Sequence, residues 1–100
     1  MAMKHTVFFW LNEDVTAEQR EDFEQGIEAL LKNDEIQAGS WGTPAATEPR
    51  PVIDDSYDYA LALEFESIAH HDRYQVHRDH DVFLDEFKGL WAKVVIYDFD

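Results

Sequence analysis

The chain has 100 residues, 22 of them acidic and 8 basic, a net charge of −14 and no cysteine. No basic patch could neutralise phosphates, which excludes nucleic acid and anionic membranes as partners, and the lack of thiols excludes disulfides, zinc–thiolate sites and a cysteine nucleophile. The apolar run Val7–Leu11 is too short for a signal-peptide core or a membrane span, so one small cytoplasmic domain is expected.

Lys4–Leu11 alternates as a strand, with His5, Val7, Phe9 and Leu11 on one side and Lys4, Thr6, Phe8 and Trp10 on the other. Both sides carry large apolar groups, so both need cover. After a turn at Asn12–Val15, Thr16 and Gln19 have capping-box spacing. Phe23, Ile27, Leu30 and Leu31 then form one apolar stripe of a helix that should fade near Lys32–Asp34.

Ile36–Gly42 is a weaker strand. Thr43–Ser56 holds all three prolines and is a loop long enough to be a lid, an interface segment or a mobile decoration. Tyr57–Glu66 is the clearest strand, with Tyr57, Tyr59, Leu61, Leu63 and Phe65 on one side. Ser67 caps a second helical region in two pieces, about Ile68–His77 and Asp79–Lys93, the second carrying Phe83, Phe87, Leu90 and Trp91 on one face. Val94–Phe99 is a last strand, apolar on both sides.

The order β-α-β, loop, β-α-β predicts an α+β fold of ferredoxin-like type: a four-stranded antiparallel sheet with two helices on one face. Two helices cover only one face. A second copy of the sheet would cover the other, so a homodimer through the sheet face is expected. Phe8, Trp10, Tyr57 and Tyr97 fit that packing role better than a cofactor box.

At this point the residues resemble a family. KHTVFFWLNEDVTAEQREDFEQGIEALL, SYDYALALEFES, the spacing Tyr74-x-x-His77-x-x-His80-x-x-Phe83 and the closing VVIYDF are similar to segments of the stress-responsive dimeric α/β-barrel (Dabb) family. The resemblance implies a dimeric barrel with a small pocket between sheet and helices in each subunit. One plant member closes a polyketide ring by aldol chemistry without metal or cofactor. By resemblance His80 is the general base, Asp98 the carboxylate that orients it, Tyr74 an acid or hydrogen-bond donor and His5 a pocket residue. Val7, Phe83, Tyr59 and His77 are expected to line the pocket. The family's proline after His77 is Arg78 here, and Tyr59 stands where the plant enzyme has a pocket histidine.

An imidazole with an ordinary pKa near 6.5 suits proton transfer at neutral pH. A carboxylate on its other nitrogen fixes tautomer and orientation. The alternatives are that His80 bonds Asp98 only to satisfy both groups, or that the pocket binds a ligand without turning it over. His70 and His71, set among charges, are expected to be solvated. The four histidines between positions 70 and 80 complete no metal motif, so neither metal nor cofactor is expected. The expected function is cofactor-independent acid–base chemistry next to a carbonyl, of cyclase, isomerase or lyase type. A non-enzymatic stress-associated dimer and a cofactor-free monooxygenase are the alternatives.

Overall fold

The structure is a computed structural model and describes residues 2–100. The chain runs β1 (Met3–Leu11), α1 (Ala17–Leu30), β2 (Ala38–Gly42), β3 (Tyr59–Phe65), α2 (Ile68–Gln75), α3 (Arg78–Phe87), a 3₁₀ turn (Lys88–Leu90) and β4 (Trp91–Phe99). The sheet order is β2-β3-β1-β4, and every neighbouring pair is antiparallel. This is the ferredoxin-like arrangement expected from the element order.

The local signals act as their chemistry requires. Thr16 Oγ1 accepts from the Gln19 backbone N–H while the Gln19 side chain accepts from the Thr16 N–H, so α1 opens on a complete capping box. Ser67 caps α2 through the His70 N–H. Between α2 and α3 the chain breaks without a proline. His77 caps α3 with its own side chain, accepting from the Asp79 N–H, and Arg78 takes the first helical position, where proline is otherwise favoured.

Met3, His5, Val7, Phe9 and Leu11 of β1 are buried, as are Tyr59, Leu61, Leu63 and Phe65 of β3. They pack under Phe23, Ile27 and Leu30 of α1, Tyr74 of α2, and Phe83 and Phe87 of α3. Gly26 lets α1 and α3 approach closely, since a Cβ there would lie 2.1 Å from the Phe87 ring.

Three boundaries differ from the sequence reading. Helix α1 ends at Leu30, capped at Leu31, and the buried Asn33 side chain organises the next turn by accepting from the Glu35 N–H; β2 therefore starts at Ala38 rather than Ile36. The β3 ladder starts at Tyr59, because Asp58 is drawn onto β1, its carboxylate accepting from the Leu11 N–H. Tyr57 thus leaves the alternation and lies on the opposite face, its ring 5.0 Å from that of Phe8. Helix α3 stops at Phe87 rather than continuing to Lys93. The Asn12 backbone and side chain bond to Leu90 O and Gly89 O, and Trp91 begins β4 opposite Leu11.

Cover differs as well. Strand β4 is an edge strand, and Ile96, Tyr97 and Phe99 remain 50%, 64% and 60% exposed in a single chain. Ile96 is on the helix side, where the helices reach across β1 and β3 but not over β4, whereas Tyr97 and Phe99 are on the opposite face. No helix among the described residues is long and apolar enough to cross a membrane.

Candidate functional site

The register that makes β4 an edge also makes a cavity. Val7 pairs with Ile96, Phe9 with Val94 and His5 with Asp98, so Val94, Ile96 and Asp98 share the helix-covered face with β1's buried residues. A cavity of about 140 Å³ lies between this part of the sheet and the α2–α3 region. His5, Val7, Phe9 and Leu61 form its floor. Tyr74, Gln75, His80, Phe83 and Leu84 line it from the helices, and Trp91, Val94 and Ile96 from β4. A larger and more open groove of about 220 Å³ lies between α1 and α3, but its only titratable lining groups are Asp79 and Glu86.

Of the residues singled out in the sequence, His5, Tyr74, His80, Val7 and Phe83 meet at this cavity. His5 is 3% exposed, and its Nδ1 is 2.5 Å from Asp98 Oδ1. Burial lowers the His5 pKa, partly opposed by the bond to Asp98. Tyr74 is buried, and burial alone pushes its hydroxyl pKa well up, so the hydroxyl keeps its proton. The Tyr74 ring stands edge-on to His80 at 5.0 Å. Burial lowers the His80 pKa; Asp81 opposes this, and His5 and His71 add to it. His80 Nδ1 and Trp91 Nε1 are both buried without a hydrogen-bond partner among the described residues.

Several expectations need correction. Asp98 is bonded to His5, not to His80, because strand pairing puts His5 directly opposite Asp98. Tyr59 does not line the cavity. It pairs with Phe9 further along the sheet, packs against Phe23 and Trp41, and donates to Glu24 Oε2 at 2.5 Å. His77 is also outside, spent on capping α3 with its side chain partly exposed. His71 is not solvated: its ring lies 4.9 Å from that of His5 and 5.5 Å from that of Phe65. The i, i+3 spacing from His71 to Tyr74 was the signal for it, since both fall on one face of α2. Gln75, Leu84, Trp91, Val94 and Ile96 were not identified from the sequence. The early end of α3 and the register of β4 bring Trp91, Val94 and Ile96 to the cavity, while Gln75 and Leu84 come beside Tyr74 and Phe83 on α2 and α3.

Comparison with known proteins adds to this geometry. The family described as "Stress responsive A/B Barrel Domain" matches residues 3–100. The chain is 24% identical over 100 residues to olivetolic acid cyclase of Cannabis sativa, covering 99% of this chain and 96% of that one. It superposes with a TM-score of 0.81 on a dimeric ferredoxin-like protein of unknown function from Thermobifida fusca, at 23% identity and covering 99% and 90% of the two chains. It also superposes with a TM-score of 0.80 on hydroxynitrile lyase of Passiflora edulis, at 20% identity and covering 98% and 91%.

Proposed function

We propose that this chain, which belongs to the stress-responsive A/B barrel domain family, binds a small carbonyl compound in the His5–Tyr74–His80 cavity and moves a proton next to the carbonyl. The observation that carries this reading is the convergence of a proton acceptor, a hydroxyl donor and a carboxylate-held imidazole on one apolar cavity. Two relatives, named a cyclase and a lyase, support a small-molecule reaction of this general kind.

The side chains divide the work as follows. His80, neutral at pH 7 because burial lowers its pKa, takes a proton from the carbon beside the carbonyl. The electron pair moves onto the carbonyl oxygen. Tyr74, protonated over the physiological range, donates a hydrogen bond to that oxygen as charge develops there. Asp98 holds the His5 ring against the cavity floor in one tautomer. The proton held by His80 then returns to carbon or oxygen. Cyclisation, isomerisation and retro-aldol cleavage share this step, and no resident cofactor enters it. The cavity is close to the roughly 150 Å³ that holds a benzene-sized guest, so a compact substrate or one ring of a larger molecule fits.

The same reading places the reaction in a homodimer. The face opposite the helices carries Phe8, Trp10, Tyr57, Val95 and Tyr97 around a shallow cavity of about 190 Å³, and a second copy of the sheet would bury them. A dimeric relative of the same fold supports this. The net charge of −14 favours a free small molecule in the cytosol over nucleic acid or an anionic membrane. The test is to follow the histidine ring resonances while titrating small aldehydes and ketones, and to assay those that bind for proton exchange at the α-carbon. Shifts at His5 and His80 with His80-dependent exchange support the reaction. Binding without exchange leaves a ligand-binding dimer, and no shift removes the site.

A further inference from the structure

We propose a second site at the rim of the cavity, where His5, His71 and Asp98 bind one divalent first-row transition ion, with Zn²⁺ as the reference. This goes beyond the proton-transfer reading: the ion takes part in none of its bond changes, but it replaces the His5–Asp98 bond as the hold on the His5 ring. One ligand atom from each of the three residues lies within 4.8 Å of the other two. The donors come from three elements. His5 and Asp98 face each other across the β1–β4 ladder, and His71 descends from α2.

The donor chemistry selects the ion. Two imidazoles and one carboxylate suit zinc, nickel, copper, cobalt and ferrous iron, whereas calcium and magnesium want oxygen ligands. Ligands roughly 2.1 Å from a tetrahedral metal sit about 3.4 Å apart, so the cluster must contract by up to about 1.4 Å on its longest side and open where His5 now bonds Asp98. The parts that must move are free to do so: the Asp98 side chain is 42% exposed on an edge strand, while His5 is locked in the floor. Asp72 Oδ1 lies 3.1 Å from His71 Nδ1, the carboxylate–histidine pairing that orients metal-bound imidazoles. Solvent reaches the site past Asp98 and can complete the coordination. Binding there ties α2 to the sheet edge beside the cavity.

The experiment is calorimetric titration of the metal-free, folded protein with Zn²⁺, paired with Co²⁺ absorption and histidine ring spectra. We expect one ion per chain, a raised melting temperature and ring shifts at His5 and His71. His71→Ala and Asp98→Asn should each weaken binding about tenfold or more. His70→Ala, on the same helix, should not. The ring spectra of the wild type keep the test valid if a variant folds poorly. Absence of binding, binding that His71→Ala leaves intact, or Zn²⁺-induced shifts at His70 or His77 in place of His5 and His71 would overturn the site.

Discussion

His5 Nδ1 and Asp98 Oδ1 are 2.5 Å apart across directly paired residues of β1 and β4, although 93 positions separate them in the chain. The imidazole is buried and the carboxylate is partly open to water. The bond therefore fixes the ring from its wet side. Because Asp98 is well solvated, the pair contributes much less than a fully desolvated one would. Asp98→Ala is expected to cost about 1 kcal/mol, chiefly by leaving the His5 Nδ1 without its acceptor. Urea unfolding measures it, and a loss above about 3 kcal/mol would make the pair a structural strut.

His80 has no hydrogen bond at Nδ1 to lose. His80→Ala is accordingly expected to abolish α-proton exchange while changing stability by less than about 1 kcal/mol. A structural histidine would give the reverse, with exchange intact and stability lowered.

In the proposed reaction the same residue sets the acid side of the pH profile. Burial lowers its pKa, His5 and His71 lower it further, and Asp81 acts against them. The active form is the neutral one. Activity should therefore be level near pH 7 and fall only below the ordinary histidine value of about 6.5. The sign for stability is the same. The unfolded chain binds this proton more readily than the folded one, so the contribution of His80 is present above pH 6.5 and is lost as pH falls below it. A kcat/KM profile that falls between pH 8 and 7 would remove His80 as the base.

Tyr74→Phe keeps the ring packing against Phe65, at 5.1 Å, and removes only the hydroxyl. It should lower kcat about 100-fold, the typical loss for one oxyanion donor. Because burial raises the hydroxyl pKa, Tyr74 should add no alkaline limb to the wild-type profile below pH 10.

Packing predictions centre on α1. Phe23 is fully buried, with its ring within 5.1 Å of Phe9 and 5.4 Å of Phe87. Phe23→Ala should cost about 3–5 kcal/mol. Gly26→Ala pushes a methyl into Phe87 and should cost about 1–3 kcal/mol despite the better helix propensity of alanine. Thermal melts of both variants check this, and a stabilised Gly26→Ala would mean that the α1–α3 contact is loose.

For the dimer, sedimentation should give twice the 11.7 kDa chain mass. A charge placed on the open face, such as Phe8→Asp, should shift the protein toward monomer without touching the cavity. A wild-type monomer at micromolar concentration would remove the proposed interface.

Much of the site was legible because its signals are local. The Tyr74–His80–Phe83 spacing survives folding because it runs across two short helices, with the break between them capped by His77. The alternation of β1 put His5 and Val7 on the buried face by the two-residue period alone. What was misread depends on distant partners. Assigning Asp98 to His80 required knowing the β1–β4 register. Tyr59 sits on the same face as His5, and only the packing of α1 against that end of the sheet separates it from the cavity. Trp91 continued a helical apolar stripe until the Asn12 contacts with Gly89 and Leu90 ended the helix early.

The sequence by itself determined the elements, their order, the buried faces of β1 and β3 and the short list of residues with chemistry, because periodicity, capping and acid–base character are properties of a few neighbouring residues. Only the tertiary structure decided which groups meet. Antiparallel register delivers Asp98 to His5, the short reach of α2 and α3 leaves β4 uncovered and opens the cavity, and one helical turn of α2 swings His71 onto His5. Those outcomes depend on contacts across dozens of residues, where no local pattern carries the information.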